Sequence, residues 1–148
     1  MGMWFLKSTP EPDVPFFAWS SAEHSVGITV FDQEHQRLAT LMGQVHATLL
    51  EKHDRALALT LIESLIQETR AHFDHEERVM EELGFHEREA HAAEHATLIQ
   101  EAKVQLQMFR SGTFSALAMP NFLKAWLIPH MQVTDRKYAA CLRRHGFR

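Results

Sequence analysis

Eleven of the 148 residues are histidine, and several of them are spaced to act together with carboxylates. His72 and Glu76 stand four apart, as do His91 and His95, while His130 stands five before Asp135. His35 adds one imidazole upstream. Side chains four apart on an α-helix are separated by only about 40° around its axis, so both can point at one centre. Imidazole combined with carboxylate is a donor set for iron, zinc or manganese. Taken singly, each spacing is weak. In a chain of this composition chance alone produces about one His-x-x-x-Glu, about 0.8 His-x-x-x-His and about 0.4 His-x-x-x-x-Asp. Any one of them is ordinarily a satisfied core histidine.

Placement carries more weight than spacing. From Asp32 onward the apolar residues recur with helical period. Asp32 is the expected N-cap of a first helix whose stripe is Leu38, Leu41, Met42, Val45 and Leu49. Asp54 caps a second, with Leu57, Leu61, Leu65, Phe73, Met80 and Leu83 on one face and Gly84 as the C′ glycine that ends it. A third runs from about Glu87 to Arg110, and Ser111-Gly112-Thr113 is a loop. A fourth starts between Ser115 and Pro120 and continues through Phe122, Leu123, Trp126, Val133, Tyr138 and Cys141. Short connections make neighbouring helices antiparallel, so the expected fold is all-α: an up-down-up-down four-helix bundle over residues 21–148. Residues 1–20, with Pro10, Pro12 and Pro15, read as an N-terminal arm. Its Trp4, Phe5, Phe16, Phe17 and Trp19 are too apolar for a free tail, and Phe17 to Ile28 are expected to lie across the bundle.

In this arrangement each of three helices carries one of the motifs and the first carries His35, always interrupting an apolar face. Buried imidazoles and carboxylates are costly unless paired or bound to metal, and seven converging on one core call for a common cause. The last pair does not fit a regular helix, where residues five apart point about 140° away from each other. A local widening of the helix after Pro129 would bring His130 and Asp135 together, and such bulges favour functional sites.

Composition narrows the classes. The net charge of −4 disfavours nucleic acid, which wants a basic surface. Arg136, Lys137, Arg143, Arg144 and Arg148 read as cations opposing a helix dipole. A single cysteine excludes a disulfide framework, and Cys141 reads as a small buried hydrophobe. No stretch approaches the roughly 20 apolar residues of a transmembrane helix, and the first residues lack the pattern of a signal peptide. A cytoplasmic monomer is expected. His24, His53, His75, His86 and His145 are expected to be exposed, and His46 to line the core or a channel. Glu34, next to His35, could accept a proton from an imidazole of the site or be a solvated carboxylate at a helix start.

The combined pattern resembles the hemerythrin family, in its single-domain bacterial form. The matching residues are Phe31-Asp32-x-x-His35, then His72-Phe73-x-x-Glu76-Glu77-x-x-Met80, then His91-x-x-x-His95, and finally Trp126-Leu127-x-x-His130-x-x-x-x-Asp135-x-x-Tyr138. The likeness runs from about Trp19 to the C-terminus. It implies a non-haem di-iron centre. On that resemblance His91, His95 and His130 hold one iron, while His35 and His72 hold the other and leave a position open for O2. Glu76 and Asp135 bridge the two, with an oxo or hydroxo group as the third bridge. Leu38, Met42, Phe73, Met80, Leu98, Trp126 and Tyr138 are candidates to wall the O2 pocket.

The resemblance implies reversible O2 binding for transport, storage or delivery to an oxygen-consuming enzyme, and no catalysis. Five imidazoles favour the reduced irons more than the carboxylate-rich set of ferritin-like oxidases does. The alternatives are a sensor of O2, NO or redox state, a di-iron enzyme acting on peroxide or NO, and a metal-free bundle.

Overall fold

The computed structural model describes residues 16–113 and 118–148. Helices are α1 (Ser21–His24), α2 (Thr29–Leu50), α3 (Arg55–Glu82), α4 (Arg88–Arg110), α5 (Ala118–Pro129) and α6 (Arg136–Arg144). A π-helical turn, His130–Asp135, joins α5 to α6 without a break, so the three form the fourth rod of the bundle. No strand occurs among the described residues. α3 packs on both α2 and α4, α5 closes against both α2 and α4, and α1 lies against the π turn. No helix among the described residues is long and apolar enough to cross a membrane.

Helix boundaries follow local chemistry in most places. Asp54 caps α3 by accepting from the Leu57 N–H at 3.0 Å. Gly84 follows α3 in the left-handed conformation (φ 66°), as the C′ position requires. The fourth rod begins at Ala118 among the described residues; the earlier part of its expected start, Ser115–Leu117, lies outside them, as do Trp4, Phe5 and the three prolines of the arm.

Asp32 is not the cap of the first helix. That helix starts a turn earlier, at Thr29, and Asp32 folds back onto the lead-in segment. Its carboxylate accepts from the Ser25 hydroxyl at 2.6 Å and from the Val26 N–H at 2.8 Å. The chain reverses at Gly27, whose φ of 75° a side chain would resist. Arg136 donates to the carbonyls of Ala22, Glu23 and Ser25, and Arg143 to that of Val26. Two of the C-terminal cations thus latch the lead-in segment to the fourth rod rather than simply opposing a dipole.

The same latch explains why His24 is buried and not exposed. Its Nδ1 accepts from the Ser20 N–H at 2.9 Å, and its ring meets Phe17 edge-on at 4.7 Å. Phe16 stacks on the half-buried His46 at 4.3 Å, and Lys124 donates to the Phe16 carbonyl. His53, His86 and His145 are exposed as expected, and Cys141 is half-buried rather than buried.

Gly27→Ala is expected to destabilise the fold more than Gly112→Ala. Both glycines have positive φ, which costs an L-residue about 1–2 kcal/mol. Only at Gly27 would the added Cβ also meet Arg143 Nη1, at 2.8 Å; nothing lies within 4 Å at Gly112. Urea unfolding midpoints of the two variants check this, and equal losses would contradict the latch.

The apolar core comes in two parts. The larger includes Leu38, Met42, Leu65, Phe73, Phe109, Leu123, Trp126 and Met131. The smaller, at the lead-in end, includes Val26, Ile28, Phe31, Met80, Phe85, Tyr138 and Leu142. α2, α3 and the fourth rod contribute to both parts and α4 to the larger alone, and buried histidines and carboxylates lie on the same helices.

Candidate metal centre

Those buried histidines and carboxylates include all seven residues singled out above. His35 comes from α2, His72 and Glu76 from α3, His91 and His95 from α4, and His130 and Asp135 from the two ends of the π turn. None is more than 5% exposed, so each has lost its hydration. The π turn supplies the local widening that the spacing of His130 and Asp135 demands, since its i→i+5 bonds bring residues five apart onto a common side. It begins immediately after Pro129, whose ring nitrogen has no proton for the ordinary i→i−4 bond. His130 Nε2 and Asp135 Oδ1 are 3.0 Å apart as a result.

The seven side chains form two overlapping groups. Glu76 and Asp135 belong to both; His91, His95 and His130 complete one, and His35 and His72 the other. Each carboxylate turns one oxygen to each group. Glu76 Oε1 lies 2.5 Å from His72 Nε2 and 3.6 Å from that of His35. Its Oε2 lies 3.1 and 3.4 Å from the Nε2 atoms of His95 and His91. Asp135 Oδ2 faces His35 at 3.1 Å, while Oδ1 faces His130 and also His91 at 3.5 Å.

The carboxylate oxygens are close to these nitrogens without being hydrogen-bonded. All four carboxylate oxygens and His91 Nε2 are buried with no hydrogen-bond partner, a costly state for protein alone. His35 Nε2 and His72 Nε2 face each other at 2.8 Å, and those of His95 and His130 at 3.2 Å. Each of these pairs is within hydrogen-bond distance, and a cation could take the place of the proton between the two nitrogens. Metal bonds of about 2.0–2.2 Å to imidazole and carboxylate place neighbouring donors about 3 Å apart, which these spacings match. The residues present therefore fit two cations side by side.

The sequence matches the family described as the hemerythrin HHE cation binding domain over residues 26–142. The chain belongs to the hemerythrin family. Bacteriohemerythrin of Stenotrophomonas maltophilia is 28% identical over 121 residues, 82% of this chain and 78% of that protein. Bacteriohemerythrin of Methylococcus capsulatus is 26% identical over 125 residues, 84% and 95% of the two chains. A crystal structure of wild-type hemerythrin aligns with a TM-score of 0.77 at 25% identity, covering 85% of this chain and 97% of that one. A hemerythrin point mutant gives 0.79 at 24% identity, covering 87% and 98%, which speaks to the fold alone. This hemerythrin domain is accordingly a non-haem iron-binding bundle.

Around the seven residues lies a ring of glutamates. Glu34 on α2 accepts from His72 Nδ1 on α3 at 2.7 Å. Glu77 on α3 accepts from His95 Nδ1 on α4 at 3.1 Å, and Glu94 on α4 accepts from His130 Nδ1 on the π turn at 2.8 Å. Each helix thus holds an imidazole of the next. A proton fixed on Nδ1 leaves the Nε2 lone pair facing inward, the tautomer a metal ligand needs. The sequence pointed to Glu34 alone, and its partner is His72 rather than its neighbour His35. Glu77 and Glu94 were missed, although each adjoins a site residue. One step along a helix turns about 100°, from the core to the flank that meets the next helix. His75 is likewise not exposed but half-buried, and bonds Glu34 at 2.8 Å.

Charge is balanced tightly at this centre. Burial alone would push the His72 imidazole down, but the charge of Glu76 and the contact with Glu34 raise it to about 10. Burial likewise opposes protonation of His91, which Asp135 and Glu76 raise to about 9. His35 and His130 move upward against burial in the same way, through Asp135 above all. Burial would raise Glu76 and Asp135, yet the facing imidazoles hold both carboxylates well below their usual range.

Aromatic rings enclose the site. Phe73 stacks on His95 at 3.8 Å, and Tyr138 and Phe31 meet His91 and His72 edge-on at 4.6 and 5.9 Å. Of the residues expected as pocket walls, Phe73 and Tyr138 touch site imidazoles and Leu38, Met42, Met80 and Trp126 are buried core. Leu98 is half-buried and its carbonyl accepts from Trp126 Nε1. Phe31 is a wall that the sequence left unmarked.

Proposed function

We propose that this hemerythrin-family chain binds O2 reversibly at a di-iron centre, to carry, store or deliver it to an oxygen-consuming enzyme. The observation that carries this reading is the division of each buried carboxylate between two groups of imidazoles. In it His91, His95 and His130 would hold one iron, His35 and His72 the other, and Glu76 and Asp135 both. Two ferrous ions bound there would supply the two electrons needed for O2 uptake.

The chain's own contribution is to hold and to exclude. Five neutral imidazoles and two carboxylates, with a hydroxo group, would leave two divalent ions with about one net positive charge, which eases burial in an apolar core. Phe31, Phe73, Met42, Met80 and Tyr138, all buried, keep bulk water away. The glutamate ring holds the Nδ1 side of His72, His95 and His130 and so aims their Nε2 atoms inward. Tyr138 also borders the centre, edge-on to His91. The Tyr138 hydroxyl is buried, and burial with the charges of Glu76 and Asp135 pushes it well above its ordinary 10.

Steady-state assay separates the readings. Iron-loaded protein mixed with O2 or peroxide and excess reductant is expected to consume about one equivalent per centre and then stop. Sustained consumption would identify an enzyme instead.

A further inference from the structure

Glu94 is the least protected member of the glutamate ring. Its side chain is 42% exposed, so water competes with His130 for the carboxylate. A second group holds it in place. The Thr134 hydroxyl donates to Glu94 Oε1 at 2.8 Å, the same oxygen that takes the His130 Nδ1 proton at 2.8 Å. Both donors sit on the π turn and the acceptor sits on α4. The widened turn therefore does two things at once: it presents Asp135 inward to His130 Nε2, and it presents Thr134 outward to the carboxylate behind Nδ1. Threonine suits the task, because branching at Cβ restricts its rotamers. Glu34 has a comparable second holder in His75, whereas Glu77 accepts from His95 without one among the hydrogen bonds described.

We propose that Thr134 is a positioning residue of the metal centre, pinning Glu94 on His130 so that Nε2 stays free to bind iron. The proposal rests on the di-iron reading. Losing the hydroxyl lets Glu94 turn to solvent, frees His130 to carry its proton on Nε2, and removes anionic character from an iron ligand. Partners of this outer kind typically control metal affinity about 10–100-fold. Thr134 acts through one of them, so its share falls near or below the lower end.

The test measures ferrous iron affinity of the full chain, anaerobically, by competition with a chelator, together with the midpoint potential of the loaded protein. Thr134→Val is nearly isosteric and is expected to weaken iron binding about 3–10-fold and raise the potential. Thr134→Ser restores the hydroxyl and should lie close to wild type. Glu94→Ala should weaken binding about 10–100-fold, and adding Thr134→Val to it should cost nothing more, because the two act as a unit. Wild-type affinity and potential in Thr134→Val, or losses that multiply in the double variant, would overturn the role of Thr134. Two irons per wild-type chain support the underlying reading independently of either variant. A wild-type chain that binds no iron would sink both.

Discussion

Glu76→Gln is expected to reduce the iron content of anaerobically loaded protein from two ions per chain to one at most. Glu76 is fully buried, and its two oxygens face different pairs of imidazoles, His35 and His72 on one side, His91 and His95 on the other. Glutamine keeps the shape, but its amide nitrogen has no lone pair for a metal. One group loses a donor, and both lose the negative charge that offsets two cations. Iron analysis after desalting reads the result directly. Two ions retained at wild-type affinity would mean that Glu76 does not join the two groups.

Removing the metal should make stability fall as pH rises above about 6.5. In the metal-free protein His72 and His91 titrate near 10 and 9, with His35 and His130 also raised above 6.5. A folded state that holds protons more tightly than the unfolded chain is stabilised fully below about pH 6.5. That stabilisation is lost as pH rises through 9 and 10. The lowered carboxylates act oppositely: Glu76 and Asp135 stabilise the fold above their ordinary values of 4.5 and 3.8 and cease to as pH falls. Metal-free protein should therefore be most stable between about pH 4.5 and 6.5.

Iron requires neutral imidazoles, so loading releases protons and strengthens as pH rises. The gap in stability between loaded and metal-free protein should widen above pH 6.5 by about 1.4 kcal/mol per pH unit for each proton released. Thermal unfolding of both forms at several pH values between 6 and 9 checks it. Parallel curves would show that the imidazoles are not displaced from their protons by metal.

The parts of this molecule legible in the sequence are those set by spacing along one helix. The pairs His72–Glu76 and His91–His95 need only helical periodicity to share a face, and the five-residue step from His130 to Asp135 already demands a widened turn. Contacts between distant segments are a different matter. Nothing near Asp32 reveals that Arg136 and Arg143, more than a hundred residues away, hold the lead-in segment where Asp32 must fold back onto it. The burial of His24 follows from the same latch. Glu77 and Glu94 are ordinary surface glutamates until the next helix is packed alongside, and Thr134 gains its partner only because the π turn rotates it toward α4.

Reversible oxygen uptake tests the central claim most directly. The chain is loaded with ferrous iron under anaerobic conditions, exposed to a measured quantity of O2, then purged, with dissolved O2 and absorbance followed throughout. One O2 taken up per two irons, released on purging and taken up again on re-exposure, is the expected result. An uptake that does not reverse, or a ratio of one O2 per iron, would contradict it.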